Sequence, residues 1–170
     1  MTYENVQQAP EEIAAYCKAG DNSMDIIRKY YEPDLKKVMR IWYDGNIEAH
    51  DFIPVSYWDR NLGYVSRLIP ATEVYVYEID GRVVGFIGVD EGYINGIFVE
   101  KDFRGQGIGT RLLAYVAEIY DVIELHVFEN NFGAVRFYEN RHFMKIEEEI
   151  NEDLGEVEYK MFYRRPKEEA

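Results

Sequence analysis

Ile97-Phe98-Val99-Glu100-Lys101-Asp102-Phe103-Arg104-Gly105-Gln106-Gly107-Ile108-Gly109-Thr110-Arg111-Leu112-Leu113-Ala114-Tyr115 decides how this chain of 170 residues is read. It opens with a short apolar strand (Ile97, Phe98, Val99), passes through a polar turn and enters a helix among glycines. The first amides of a helix have no carbonyl one turn back to receive them. The aligned peptide dipoles add partial positive charge there, so the join from Arg104 through Gln106 and Ile108 suits a phosphate or pyrophosphate. Gly105, Gly107 and Gly109 carry no Cβ, which lets a bulky anion approach the main chain. Arg104 adds a full charge on a planar donor fork. Two familiar phosphate loops do not fit. A P-loop ends in Gly-Lys-Ser/Thr, whereas this loop ends in Gly109-Thr110-Arg111. A dinucleotide fingerprint needs a third glycine where Thr110 or Leu112 stands, and it lies early in its chain.

The rest of the composition narrows the setting. The length suits one domain with a core large enough to stand alone. A formal net charge of −13 argues against nucleic acid or an anionic membrane as partner and is compatible with a cationic amine. Cys17 is the only cysteine, so neither an internal disulfide nor a cysteine zinc cluster is expected. No metal is expected at the site. No apolar run reaches membrane-spanning length and the first residues lack a secretory pattern, which points to the cytoplasm.

Taken in order, residues 1–23 read as a polar extension with a helical signal over 10–19. Residues 24–30 form a first strand. Pro33 and Asp34 start a helix whose core stripe is Leu35, Val38, Met39, Trp42 and Asn46. A second helix covers 55–68, with Pro70 ending it. Strands follow at 73–79, 82–90 and 93–99, joined by Asp80-Gly81 and Glu91-Gly92 turns. In the first of these, Val74 and Val76 lie on one face and Tyr75 and Tyr77 on the other. The glycine loop then leads into a helix over 107–120, with Leu112, Leu113, Val116 and Ile119 facing the core. A fifth strand (121–128), a helix (131–140) and two last strands (143–150 and 156–163) complete one mixed α/β domain over 24–163. A charged, fraying tail is expected over 164–170.

Two motifs, in this order and spacing, resemble the Gcn5-related N-acetyltransferase (GNAT) family. Arg104-x-x-Gly107-x-Gly109 resembles that family's motif A. Asn131, Ala134 and Tyr138 match the Asn-x-x-Ala-x-x-x-Tyr of its motif B, where His142-Phe143 replaces the usual Gly-Phe and predicts an altered or strained turn. Ile41-Trp42 and Ala49-His50-Asp51-Phe52-Ile53 look most like a bacterial branch of small acetyltransferases, the YjaB-like proteins. The resemblance implies the acyl-CoA N-acyltransferase fold: a mixed, mostly antiparallel sheet flanked by helices, with the fourth and fifth strands splayed.

The resemblance also implies acetyl-coenzyme A as co-substrate. Its pyrophosphate would sit on the amides of residues 104–109 with help from the Thr110 hydroxyl, and its arm beside Phe98 and Val99. Asn131 would bind the arm, and Arg136 or Arg141 the 3′-phosphate. Direct transfer to a primary amine needs an acid for the departing thiolate, and the family's pattern gives that role to Tyr138. The base stays open among Glu91, Glu100, His50 and a water chain, because Asn95 on the fourth strand cannot titrate. His50, Phe52 and Tyr93 are expected at the acceptor site, with Tyr57 and Trp58 nearby, while His126 is expected in a strand and His142 in a turn. A module that binds acyl-coenzyme A without turnover is the alternative, as is a longer acyl donor. The acceptor, a small molecule or a protein amine, is left open, and so is a homodimer, which is common in that family.

Overall fold

A computed structural model describes residues 24–166. The extension at 1–23, with its helical signal, and residues 167–170 lie outside the described residues. The described chain runs β1 (Asp25–Lys29), α1 (Leu35–Ala49), α2 (Val55–Ala71), β2 (Glu73–Ile79), β3 (Arg82–Asp90), β4 (Tyr93–Val99), α3 (Ile108–Ile119), β5 (Val122–Phe128), α4 (Phe132–Glu139), β6 (Met144–Ile150) and β7 (Val157–Arg164). The strands form one sheet in the order β1-β2-β3-β4-β5-β7-β6. Every neighbouring pair is antiparallel except β4 with β5.

Local chemistry sets the turns. Asp80 and Gly81 both adopt positive φ (49° and 80°), as do Glu91 and Gly92 (47° and 87°), the backbone that two-residue hairpins need. Strand alternation then sorts the core into two layers. Tyr75 and Tyr77 join Ile27, Val84 and Ile87 under α3 and α4, while Val74 and Val76 join Val38, Ile41 and Phe86 under α1 and α2. At the edge of the second layer, Asp34 is 6% exposed and takes both ends of the Arg28 guanidinium, at 2.7 and 3.0 Å; Arg28 also reaches Glu78.

Four expectations change or sharpen. Helix α2 runs through Pro70 to Ala71 instead of stopping before it. A proline in the last turn forfeits a single backbone bond, and the Thr72 hydroxyl donates to the Leu68 carbonyl (3.1 Å) to finish the end. Ile119 is not core: it is 45% exposed, because the stripe through Leu112 and Val116 continues to Tyr120, whose hydroxyl donates to Glu73. The tail does not fray at 164. Arg164 ends β7, and Arg165 donates its Nε to the Ala117 carbonyl (3.0 Å). His142 stands at φ 66°, in the left-handed conformation that the missing glycine would adopt freely.

Candidate active site

The β4–β5 ladder is the origin of the site. Only Tyr93↔Glu124 and Ile94↔Leu125 pair, so beyond Ile94 the two strands diverge. On the other side of β4, Gly88 pairs with Gly96 and Val89 with Ile94, which leaves Asn95 as a bulged residue without a partner. The Glu100 amide donates to the Val84 carbonyl (2.8 Å), which fixes the phase of the β3–β4 ladder. Phe98 therefore spends its backbone groups on β3, while the N–H and C=O of Ile97 and Val99 face the gap.

Two cavities open from this gap and meet. The larger, about 650 Å³, lies between the end of α1, the split strands and the start of α4. The smaller, about 440 Å³, lies over the glycine loop. Ile97, Val99, Arg104, Ala134 and Tyr138 line both.

The smaller cavity has the chemistry of an anion cradle. Gly105 and Gly107 hold φ of 74° and 80°, and Gly107 caps α3. Among the hydrogen bonds of the described residues, none is donated by the amides of 105–110. Nothing lies within 4 Å of a Cβ built on Gly105, so the space beside the loop is open. Arg141 stacks on the Phe137 ring at 3.7 Å and donates its Nε to the Thr110 hydroxyl (3.1 Å), bringing a second cation into the cavity wall. Free amides, glycines that admit close approach and two guanidinium groups fit a diphosphate. Arg104 is already oriented: Nε donates to the Val99 carbonyl (2.8 Å) and Nη1 pairs with Glu48 at 2.7 Å. Gln106 turns its side chain to the Asp102 carbonyl and, like Arg136, lines neither cavity.

In the larger cavity Tyr138 is 7% exposed, and its hydroxyl has no hydrogen-bond partner among the described residues. Burial, with Tyr93 nearby, raises its pKa well above the ordinary phenol value, so the hydroxyl keeps its proton. Phe98 lines the cavity while stacking on Phe86 (5.3 Å). Asn131 caps α4, its Oδ1 accepting from the Ala134 amide at 3.2 Å. His50 lines the wall with both ring nitrogens engaged, Nδ1 on the Asn46 carbonyl (3.0 Å) and Nε2 on Asn131 Nδ2 (3.2 Å). It offers no free lone pair to a substrate. Phe52 does not line the cavity; it packs edge-on against His50 (5.7 Å) and Phe128. Glu91 lies in a turn and Glu100 is bound to Lys37 and Arg82, and neither lines the cavity.

Sequence reasoning missed the partners of Tyr93. Its hydroxyl lies 2.8 Å from His126 Nδ1, and His126 Nε2 lies 3.4 Å from Glu149, a half-exposed side chain on β6. Glu158 and Asn151 line the same end. Burial raises the Tyr93 pKa, and the negative charge of Glu158 raises it further. The available signal was parity: Ile123, Leu125 and Val127 are the core face of β5, which sends Glu124, His126 and Phe128 to the other. That this other face meets the cavity depends on the strand split. Among the described residues, no group of three or more His, Cys, Asp or Glu side chains could hold a metal ion, and no helix is long and apolar enough to cross a membrane.

Comparison with known proteins agrees with this geometry. A family model described as the acetyltransferase (GNAT) family matches residues 28–143. The peptidyl-lysine N-acetyltransferase YiaC of Escherichia coli (strain K12) is 28% identical over 120 residues, covering 69% of this chain and 82% of that protein. The peptidyl-lysine N-acetyltransferase YjaB of Salmonella typhimurium is 28% identical over 130 residues, covering 76% and 90%. The solution structure of apo-form YjaB from Escherichia coli shares the fold, with a TM-score of 0.75 at 22% identity over 84% of this chain and 99% of that one. The chain, whose described residues form a seven-stranded mixed sheet with a parallel β4–β5 pair and four flanking α-helices, belongs to the GNAT family of N-acetyltransferases, enzymes that use acetyl-coenzyme A.

Proposed function

We propose that the protein moves an acetyl group from acetyl-coenzyme A directly to a primary amine within a ternary complex, with Tyr138 as the general acid and a protein lysine as the acceptor. The observation that carries the reading is Tyr138 at the junction of the two cavities, its hydroxyl unpartnered and held protonated by burial.

Acetyl-coenzyme A, when bound, supplies the acetyl group as an activated thioester. On this reading the amides of 105–110, Arg104, Thr110 and Arg141 hold the diphosphate end, and Val99, Phe98 and Asn131 flank the arm. The Ile97 and Val99 main-chain groups that face the gap can pair with an extended arm as a neighbouring strand would. Tyr138 donates its proton where thiolate charge develops.

A lysine ammonium must lose a proton before it can attack. Tyr93 can accept that proton as it passes its own to His126 Nδ1, while His126 Nε2 hands one to Glu149 at the surface. Glu149, half-exposed, releases its proton to water, so each group in the path gains one proton and gives one up. Glu158 at the same end supplies a field that favours an arriving cation. The lysine acceptor is further supported by the names of the relatives YiaC and YjaB.

The test mixes purified protein, acetyl-coenzyme A and lysine-containing peptides, and reads thiol release and acetylated peptide by mass spectrometry. Release matched by peptide acetylation supports the reading. Tight binding of coenzyme A without turnover of any amine would instead establish a binding module.

A further inference from the structure

The amide of Asn131 has no freedom to flip. Its Oδ1 accepts from the Ala134 amide, a group that can only donate, so Nδ2 is the atom turned toward His50. His50 Nε2 must then accept, and the ring proton must sit on Nδ1, where it meets the Asn46 carbonyl at 3.0 Å. That carbonyl also receives the His50 amide (3.0 Å), closing α1 on the same residue. Three rings clamp the imidazole: Trp58 stacked at 5.3 Å, and Phe52 and Phe128 edge-on at 5.7 and 5.4 Å. A short chain of fixed bonds thus crosses the cleft from the end of α1 to the start of α4.

We infer that His50 is a positioning residue for the cofactor: its Nε2 lone pair holds the Asn131 amide so that the second Nδ2 hydrogen is presented to the arm in the cleft. This rests on the cofactor reading above. One N–H of Asn131 is spent on His50, its oxygen is spent on the α4 cap, and one N–H is left in a residue that lines the cavity.

The arrangement works only with a neutral ring, since a proton on Nε2 would face an N–H donor. The groups packed on the imidazole are uncharged: the Asn46 carbonyl from α1, Phe52 from the following loop, Trp58 from α2, Phe128 from β5 and Asn131 from α4. The nearest carboxylate on α1, Glu48, is paired with Arg104. Burial lowers the His50 pKa below the ordinary imidazole value, so the bond persists at neutral pH and is lost as the pH falls through that lowered value.

Calorimetric titration with coenzyme A, and with adenosine 3′-phosphate 5′-diphosphate as a fragment that lacks the arm, tests this. His50→Phe keeps the ring packing and is expected to weaken coenzyme A roughly three- to tenfold, the worth of one hydrogen bond, with the fragment unchanged. His50→Gln, whose Oε1 can accept from Asn131, is expected to restore wild-type affinity. At each pH the wild type is compared with His50→Gln on the same ligand: coenzyme A affinity should match at neutral pH and fall behind in the wild type as acid protonates His50, while the fragment shows no such divergence. Equal weakening of both ligands, or of neither, overturns the inference. If His50→Phe fails to fold, the pH dependence of wild type against His50→Gln decides alone. Absence of coenzyme A binding to the wild type would refute the proposed function first, and this inference with it.

Discussion

Replacing Tyr138 by Phe should separate catalysis from every other property of the protein. The side chain packs through its ring against Phe137 and Phe143, at centroid distances of 5.2 and 5.4 Å, and phenylalanine keeps both contacts. No hydrogen bond of the described residues uses the hydroxyl, so its loss should change stability by no more than about 0.5 kcal/mol, about 2 °C in Tm. Affinity for coenzyme A should stay within about twofold. Turnover should behave differently, since a positioned general acid contributes about 10²- to 10⁴-fold, or about 3–5 kcal/mol of barrier. Because the Tyr138 pKa is raised, the wild-type acid stays protonated through the alkaline range, and kcat should show no falling limb below about pH 10. The assay is thiol release at saturating acetyl-coenzyme A and lysine peptide, beside calorimetric Tm and coenzyme A titration. A kcat within about threefold of wild type, with Tm unchanged, would refute the acid role.

Gly107→Val forces a β-branched residue to φ 80° and places its Cβ 3.4 Å from Arg111 Nη1. With ~1–2 kcal/mol of strain in the loop, the dissociation constant for coenzyme A should rise about tenfold by calorimetry. His126→Ala cuts the path between Tyr93 and Glu149, so the rising limb of the pH profile of kcat/KM should move to higher pH, with a loss of about tenfold or more at pH 7; an unmoved limb removes His126 from the path. Asp34→Ala leaves a mostly buried Arg28 with Glu78 alone and should cost about 3 kcal/mol, read as a lower Tm with coenzyme A affinity unaffected.

Much of the fold was legible because its signals are local. Asp80-Gly81 and Glu91-Gly92 require positive φ, and the alternation of Val74 and Val76 with Tyr75 and Tyr77 assigns two core layers before any long-range contact is known. The glycine loop was legible for the same reason: free amides follow from a helix start rich in glycine. What escaped depends on register. The end of the β4–β5 ladder at Ile94 turns His126 from a strand residue into a partner of Tyr93 in the cleft. Glu48 reads as the end of a helix and His50 as an acceptor-site residue or base, yet they reach Arg104 and Asn131, 56 and 81 residues away. Pro70 misled because a breaker in the final turn forfeits only one bond, and Ile119 because a stripe four residues apart passed it by.

On the proposed function, the amides of 105–110 and the β4–β5 gap hold a coenzyme A molecule whose sulfur lies beside Tyr138. The most direct measurement is a crystal structure of the complex with coenzyme A. It should place the diphosphate on those amides, the arm along Ile97 and Val99, and the sulfur within hydrogen-bond reach of the Tyr138 hydroxyl. A diphosphate bound elsewhere, or a sulfur out of reach of Tyr138, would contradict the account.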